Sequence, residues 1–428
     1  MPLARSAAAA LLSLFIARFA PAEPQRWTGE WRFEAQTVRV GLEIDAEAQP
    51  PVGSFDAPSL HLPSVPCASI TVSPDGIVAE LPASLGSLRA TVHPDALAGI
   101  ITLPDGRSGA VRFERSPLAP VAWDPIRFSS GSAELSGSVV HPVGSGPFPG
   151  IVLVHGGGDS RTQDEGYRFW MEHFARRGFA VLGWDKRGCG DSTGAWREVG
   201  LGPLADDAAA AAEALAARSD VDASRFGALA FSQGGWVAPL AASQTEAIRF
   251  IAVVSGPAVS VVEADTAAAR NSYRAAGMTE QEAAEALDLW RRLLAAIDDN
   301  SLWDDYLGAF ERVHRHDWIV RSGRKPAARD GWFVNWYRRV KDHQPLPVLE
   351  RTRIPMLWLF GAEDTQLDAP ESAAILARFA QKHEKDYSIH LFPHAGHGLN
   401  RSLGDPDTGP YAIVPGALEA LEAWLDAQ

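Results

Sequence analysis

The segment GALAFSQGGWVAP, residues 227–239, places a serine between an apolar run and a run typical of a helix. A short apolar run without alternation is typical of a strand buried on both faces, as in a parallel sheet covered by helices. Ala230 and Gly234, two residues before and two after Ser232, are both small, which indicates a turn where strand and helix approach closely. The segment predicts a serine displayed at the end of a buried strand; a glycine-rich loop that happens to contain a serine is the alternative.

Strand-like and helix-like segments alternate along residues 125–428. Runs such as PGIVLVHGGG, FAVLGWD, RFIAVVSG and IPMLWLFG are short and apolar, whereas YRFWMEHFARRG and PGALEALEAWLDAQ have helical spacing. This alternation predicts a mostly parallel sheet with helices on both faces. The predicted fold class is therefore α/β, with a small antiparallel β-domain in front.

The alternation stops between Pro257 and Pro355, where helix-like segments follow one another. One of them, MTEQEAAEALDLWRRLLAAIDD, opens with a capping box formed by Thr279 and Glu282. We expect a helical cap, at about residues 258–350, inserted between two strands of the sheet. Its tryptophans serve either for packing alone or as an aromatic wall of an acyl pocket; they are Trp303, Trp318, Trp332 and Trp336.

Residues 25–120 contain short strand-like runs and no sustained helical period. The runs are RVGLEI, SITV, IVAELP, LRATV, LAGIITL and AVRFER, and turn signals such as SPDG and LPDG separate them. We expect a small antiparallel sandwich or barrel. Pro117, Pro120 and Pro125 mark the predicted linker to the domain that follows.

The first residues have the pattern of an export signal. Arg5 supplies a positive charge, residues 7–17 form an apolar core, and Ala20-Pro21-Ala22 matches a small-residue cleavage site. We expect cleavage after residue 22 and a periplasmic or secreted protein. The apolar core is too short to span a bilayer, which takes roughly 20 residues, so we expect no stable membrane insertion.

Charge and cysteine content exclude several classes of function. The formal net charge of −14 disfavours nucleic acid as a partner, because phosphate backbones are negative. The two cysteines, Cys67 and Cys189, fall in different predicted domains, and no Cys or His spacing is typical of a zinc site. The run HRHD, residues 314–317, is more typical of a solvated helix face than of a metal site. We expect no metal and no other cofactor.

Three residues with complementary chemistry follow apolar strand-like runs: Ser232, Asp364 and His397. Ligands of open α/β sheets lie at the carboxyl ends of the strands, so we expect these side chains to meet there. A serine hydroxyl needs a base to take its proton, a histidine can take and return that proton, and a carboxylate orients the imidazole. The pattern predicts Ser232 as nucleophile, His397 as base and Asp364 as the acid.

Neighbouring residues compete for two of these roles. Glu363 and Asp368 are the rivals of Asp364, and His394 is the rival of His397. The sequence favours Asp364 because it stands three residues after Gly361, at the end of the strand-like run MLWLFG, and the motif GHG favours His397.

Two backbone N–H groups are candidates for binding a developing oxyanion. The glycines at 156–158 leave the backbone open to close approach, and Gln233 lies at the start of a predicted helix. We expect the N–H groups of Gly157 and Gln233 to form the oxyanion hole.

Several motifs, in order, resemble those of α/β-hydrolase fold serine hydrolases. They are HGGGDSR, GWDKRGCGDSTG, FSQGGW, FGAEDTQ and HAGHGL, and the resemblance covers residues 125–428. It is closest to the exported bacterial branch of dipeptidyl aminopeptidase/acylaminoacyl-peptidase-like enzymes and esterases. The family usually has glycine two residues before the nucleophile, where this chain has Ala230. WTGEWRF and GSFDAPS in the front domain weakly resemble a lipocalin-like domain.

The resemblance implies hydrolysis of small acyl esters through an acyl-enzyme intermediate. A serine peptidase of the dipeptidyl or acylaminoacyl type is the alternative within the class, for which Glu263 or Glu280 would be candidates to hold a substrate ammonium. A lipid- or glycan-binding protein with a vestigial hydrolase domain is the alternative of another class. Neither the oligomeric state nor the acyl length follows from the sequence.

Overall fold

The computed structural model describes residues 25–34, 36–60, 62–73, 76–82, 85–93, 95–115, 119–322, 325–402 and 411–428. The predicted export signal lies outside these residues, as does Pro117 of the predicted linker. The chain forms two compact units, and the second begins at Ala119. Within the described residues, no helix has the length and hydropathy needed to cross a bilayer, and both cysteines are free thiols.

In its described part, the first unit is one antiparallel half-barrel of nine strands. Its sheet order is β4-β3-β2-β1-β9-β8-β7-β6-β5. The strands are β1 Gln25–Phe33, β2 Gln36–Asp45, β3 Val52–Ala57, β4 Leu62–Pro66, β5 Ser69–Ser73, β6 Gly76–Glu80, β7 Ser87–Val92, β8 Ala96–Thr102 and β9 Ser108–Arg115. The strands form one sheet and not two stacked sheets, so of the two predicted forms the sandwich is absent from the described residues.

Alternation along β1 shows how this sheet buries one face. Trp27, Trp31 and Phe33 are buried, whereas the side chains between them are partly or fully exposed. Because side chains on a strand alternate between faces, one face is packed with large apolar groups and the other meets solvent. The strands β1, β3 and β4 were not among the predicted runs.

The second unit is built on an eight-stranded sheet of order β10-β11-β13-β12-β14-β15-β16-β17. Its first two strands are antiparallel, and β12 to β17 are parallel. The strands are β10 Val121–Ser130, β11 Ala133–Pro142, β12 Phe148–Val154, β13 Ala180–Trp184, β14 Val221–Phe231, β15 Phe250–Val254, β16 Met356–Gly361 and β17 Tyr387–Phe392. A short hairpin follows, of β18 Asn400–Ser402 and β19 Tyr411–Ile413.

Pro125 does not belong to a linker. It lies inside β10, at the edge of the sheet, where it pairs with Ser138 of β11. Proline is tolerated in an edge strand because its missing N–H can face away from the ladder. The α/β unit therefore begins a few residues earlier than the predicted boundary at residue 125.

Helices cover both faces of this sheet. They are α1 Glu165–Arg176, α2 Leu201–Ala216, α3 Gly234–Ala242, α10 Ala369–His383 and α11 Ala417–Asp426. Apolar residues of α1 and α11 form one core with the sheet, and those of α2, α3 and α10 form the other. This two-sided arrangement confirms the predicted fold class.

Among the described residues between β15 and β16 there are six further α-helices. They are α4 Val261–Ala275, α5 Glu280–Asp298, α6 Trp303–Val313, α7 Asp317–Ser322, α8 Trp332–Val340 and α9 Pro345–Arg351. The predicted capping box of Thr279 and Glu282 opens α5. Trp303 and Trp318 are buried and serve packing. Trp332 and Trp336 instead contact Trp196 edge to face, at ring-centroid distances of 6.0 and 6.1 Å.

Candidate active site

The position of the site follows from the order of the strands. From β12 the chain crosses to β13 on one side and later to β14 on the other. Such a switch point leaves a crevice at the carboxyl ends of the two adjacent strands, where open α/β sheets bind ligands. The loop of Gly156 to Gly158 follows β12 and Ser232 follows β14, so both border this crevice.

Ser232 has a strained backbone conformation. Its φ is +51°, in the left-handed region that residues other than glycine seldom adopt. Its N–H donates to the carbonyl of Val254 (2.9 Å), and its own carbonyl accepts from the N–H of Gly235 (2.8 Å). These bonds hold the turn between β14 and α3 and favour the displayed serine over the ordinary loop.

Close approach explains the small residues around the turn. A Cβ at Gly234 would lie 2.7 Å from the carbonyl oxygen of Val154 and 3.3 Å from the Cβ of Ala230, and one at Gly235 would lie 2.8 Å from the Cα of Gly256. Ala230 is accommodated because its neighbour across the turn has no side chain.

The predicted base and acid are hydrogen-bonded to each other. His397 Nδ1 lies 2.8 Å from Asp364 Oδ2, and the Asp364 side chain is fully buried, whereas 20% of the His397 side chain is exposed. The carboxylate accepts, so Nδ1 carries the proton and Nε2 is left as the proton acceptor. The second Asp364 oxygen accepts from the N–H of Gln366 at 2.7 Å, which fixes the carboxylate.

The competing residues have other partners. His394 pairs with Glu363 at 2.9 Å, and both side chains are more than half exposed. Asp368 caps α10 by accepting from the N–H of Glu371. The geometry therefore favours the buried pair of Asp364 and His397 over either rival.

Ser255 holds the loop that carries His397, a role that was not predicted from the sequence. Like Ser232 it ends a central strand in the left-handed region, with φ +54°, and it is buried. Its Oγ accepts from the N–H of Gly398, directly after His397, at 3.1 Å. The apolar run before it and the glycine after it could have suggested a second tight turn.

In the described part of the chain, the Ser232 hydroxyl makes no hydrogen bond to His397 or to another group. Catalytic hydrogen bonds are often long in the absence of substrate and tighten in the Michaelis complex. The structure thus brings acid and base together and presents the serine after β14, one strand away from β15, whose Ser255 bonds the loop of His397.

The N–H groups of the two predicted oxyanion donors make no hydrogen bond within the described residues. Neither the N–H of Gly157 nor that of Gln233 donates to an acceptor there, whereas the N–H of Gly156 donates to the Tyr167 hydroxyl at 3.0 Å. Gly156 lies against Ser232, because a Cβ built on it would be 3.6 Å from the Cβ of Ser232. The arrangement can present two N–H groups to an acyl oxygen.

Charged residues of two motifs noted in the sequence, GWDKRGCGDSTG and HRHD, have structural partners. Arg187 donates two hydrogen bonds to Asp207, and both are buried, so GWDKRGCGDSTG forms a fixed turn next to the site. His316, from the run HRHD, pairs with Glu285. In the described ranges, no group of three or more His, Cys, Asp or Glu residues is arranged to hold a metal ion.

The sequence of residues 147–403 matches the Hydrolase_4 family, described as serine aminopeptidase, S33. The match covers more than half of the chain. The chain belongs to this family. The chain is also similar to esterase EstD of Thermotoga maritima, with 25% identity over 243 residues, which are 54% of this chain and 50% of that protein. The chain thus spans about half the length of this curated relative.

Solved structures with related folds include hydrolases of several kinds. An esterase of Pyrococcus furiosus gives a TM-score of 0.45 at 16% identity, over 72% of this chain and 88% of that chain. A putative dienelactone hydrolase of Klebsiella pneumoniae gives 0.44 at 13% identity, over 72% of this chain and 100% of that chain. Similarity at this level says nothing about the substrate of the present chain.

Proposed function

We propose that the protein is a serine hydrolase that cleaves small carboxylic esters through an acyl-enzyme intermediate. The strained conformation of Ser232 is the observation that carries this proposal. Such strain costs on the order of 1–3 kcal/mol and persists mainly where a site requires it. Here it displays a hydroxyl at the switch point, and the loop of His397 is bonded to Ser255 at the end of the neighbouring strand β15. Among the described residues, His397 Nε2 makes no hydrogen bond and can accept a proton.

The chemistry runs in two halves on these residues. Ser232 Oγ bonds to the acyl carbon while its proton passes to His397 Nε2, and the N–H groups of Gly157 and Gln233 bind the oxyanion. The ester C–O bond then breaks, and His397 returns the proton to the leaving alcohol. Water repeats the sequence on the acyl-enzyme and releases the acid. Asp364 stabilises the imidazolium in both halves.

A serine peptidase is the second candidate, and the family description as serine aminopeptidase favours it. An aminopeptidase needs a carboxylate to hold the substrate ammonium. Glu263 already bonds the N–H and hydroxyl of Ser260 in a capping box, and Glu280 is exposed at the start of α5. Those partners and positions favour ester over peptide hydrolysis.

A binding protein with a vestigial hydrolase is less well supported. The apolar face of the half-barrel is filled by its own side chains, including Trp31, Phe33, Phe55 and Phe113, each at most 1% exposed. An open groove of about 790 Å³ in this unit has both charged and apolar lining residues, among them Glu30, Arg39 and Val40. The filled apolar face therefore argues against an acyl chain bound among the core side chains of the half-barrel.

Two assays on the purified protein separate the three candidates. We expect a fluorophosphonate probe to label the wild type, and 4-nitrophenyl esters to be hydrolysed with a higher kcat/KM than aminoacyl 4-nitroanilides. The difference follows because the poor amine leaving group must be protonated, whereas a phenolate leaves readily. Faster anilide hydrolysis would favour the peptidase, and absence of labelling would favour the binding protein.

We also propose that the protein is exported to the periplasm or secreted. The support is the charged, apolar and small-residue pattern of residues 1–22. Expression of the full chain in a bacterial host should yield, outside the cytoplasm, a protein that begins at Glu23. N-terminal sequencing checks this, and an uncleaved protein confined to the cytoplasm would contradict it.

A further inference from the structure

Lys186, directly after β13, is almost completely buried, at 2% exposure. Lysine is almost never buried in this way without partners. Its Nζ lies 2.8 Å from the carbonyl oxygen of Gly156, 3.1 Å from that of Gly158 and 3.3 Å from Oε1 of Gln233. An ammonium has three N–H donors and no acceptor, so these three oxygens match its full donor set. The proposed reaction assigns Lys186 no role.

The first of these oxygens belongs to the peptide group that supplies a predicted oxyanion donor. The carbonyl of Gly156 and the N–H of Gly157 share one planar peptide, and in a trans peptide they point in opposite directions. With the carbonyl held at Lys186, the N–H of Gly157 must face away from Lys186. Three consecutive glycines would otherwise allow this peptide to rotate, because they have no Cβ to restrict it.

The third oxygen belongs to the residue that supplies the other predicted donor. Gln233 is buried at the start of α3, directly after the nucleophile. Lys186 thus bonds both to the loop after β12 and to the turn after β14, which approach each other only in the folded chain. The ring of Trp196, 5.0 Å from Nζ, lies over the ammonium as a further cation–π partner.

We propose that Lys186 is a positioning residue of the oxyanion hole, holding the Gly156–Gly157 peptide and Gln233 in the one arrangement that presents both N–H donors to the acyl oxygen. The inference rests on the proposed serine hydrolase function. Lys186 acts through the two donors and touches neither substrate nor reacting atoms. Its bond to the Gly156 carbonyl also polarises that peptide and strengthens the N–H as a donor.

The ammonium form is the one that fits this role, since a neutral amine has only two N–H donors for three oxygens. Burial lowers the pKa of Lys186 to about 8. The titratable or charged groups that face it are Asp159, Cys189, Asp207, Arg197 and His155. Burial raises the pKa of the Cys189 thiol and lowers that of His155 to about 3. Carboxylates and guanidinium groups keep their charges from pH 7 to pH 9, so Lys186 is the group of this set that changes charge there.

Replacement of Lys186 by methionine tests the role. We expect Lys186→Met to lower kcat for a 4-nitrophenyl ester by about 10- to 100-fold, since loss of one oxyanion donor costs about 10²–10³ and a misplaced donor less. KM should change by less than about threefold, because the lost interaction forms only in the transition state. The affinity for a trifluoromethyl ketone, whose adduct carries an oxyanion, should fall by the same factor as kcat.

Lys385 provides the matched control. Its Nζ also donates to two backbone carbonyls, those of Glu350 (2.6 Å) and Thr352 (2.8 Å), but it precedes β17, at the opposite end of the sheet from the site. Lys385→Met should lower the melting temperature and leave kcat unchanged. An equal loss of kcat in both variants would overturn the proposal, because the effect would then be one of general stability.

The pH dependence separates positioning from a purely structural role. Wild-type kcat should fall as pH rises through about 8, and this alkaline decrease should be missing in Lys186→Met. Stability should change in the opposite direction. Between pH 8 and the unfolded pKa of 10.5 the unfolded chain holds the proton and the native chain does not, so the contribution of Lys186 to stability rises with pH. The measurement is therefore the difference in melting temperature between wild type and Lys186→Met, because other groups also titrate in this range. A wild type that loses stability relative to Lys186→Met as its kcat falls would contradict the proposal.

Gln233→Met decides the question if Lys186→Met does not fold. This variant keeps the backbone N–H of residue 233 and removes only the third acceptor of Lys186. We therefore expect kcat to fall by less than in Lys186→Met, about three- to tenfold, and the effects of the two changes to be less than additive in the double variant.

Unchanged kcat in the folded variants would overturn the positioning role alone, since wild-type labelling and ester hydrolysis would still support the serine hydrolase. A wild type without either activity would overturn the proposed function itself.

Discussion

Replacement of Ser232 by alanine is expected to lower kcat for ester hydrolysis by about 10⁴- to 10⁶-fold, the range found when members of a protease triad are removed. The reaction loses its nucleophile, whereas the fold loses only a hydroxyl that makes no hydrogen bond in the described part of the chain. The stability should therefore change by less than about 0.5 kcal/mol. Initial-rate kinetics, fluorophosphonate labelling and thermal melts on the same preparation check this result.

Ser255→Ala is the matched control for this experiment. Ser255 also ends a central strand with a positive φ, but its Oγ accepts from the N–H of Gly398. Loss of this hydrogen bond should lower the free energy of unfolding by about 1 kcal/mol. It should lower kcat by less than about tenfold, because the loop that carries His397 would be held less firmly. Labelling should persist in Ser255→Ala and vanish in Ser232→Ala. The reverse pattern would mean that the nucleophile is misassigned.

Asp364→Asn should fold normally and lose about 10⁴-fold in kcat, as the same change does in a serine protease. Asparagine can keep the acceptor for the N–H of Gln366, which lies 2.7 Å from Oδ1 of the aspartate. Its amide NH₂ would instead face His397 Nδ1 and favour the tautomer whose Nε2 carries the proton. That imidazole cannot accept the proton of Ser232. The loss should be smaller at high pH, where hydroxide can partly replace the base.

Asp368→Asn and Glu363→Gln are the controls at the acid. Asparagine caps a helix as well as aspartate does, so α10 should keep its cap and kcat should stay within about twofold of the wild type. The Glu363 carboxylate bonds only the exposed His394 among its described neighbours, so its replacement should also leave kcat unchanged. A pH–rate profile and a melt for each variant provide the comparison. If Asp368→Asn were inactive and Asp364→Asn active, the acid would be Asp368 and not Asp364. The assignments of Ser232 and His397 would be unaffected.

Much of the α/β unit could be predicted because its signals are local. Central strands of a parallel sheet are buried on both faces and read as short apolar runs, so β12 to β16 each had a visible counterpart in the sequence. The edge strand β17 is only partly buried, yet its sequence YSIHLF also reads as a mostly apolar run. The candidate nucleophile, acid and base could be named for the same reason: each follows one of those runs, and the carboxyl ends of parallel strands share one edge.

Strands with mixed composition escaped prediction. In β1, glycine, threonine and charged residues separate the tryptophans, and β10 contains Pro125. β1 lies between β2 and β9, whereas β10 lies at the edge of its sheet, where proline is tolerated. The pairing of both strands depends on packing against partners elsewhere in the chain, which local composition does not show. Ser255 and Lys186 went unrecognised as parts of the site because nothing in their local sequence indicates what they contact.

The sequence by itself determined which segments are buried strands, that a serine follows one of them, and which acidic and histidine residues could serve it. Burial and local backbone preference decide those features, and both depend on nearby residues. Only the tertiary structure decided that His397 bonds to Asp364 and not to Glu363, and that Lys186 bonds to both halves of the predicted oxyanion hole. Hydrogen bonds act over about 3 Å, so their partners are chosen by the packing of strands distant in sequence.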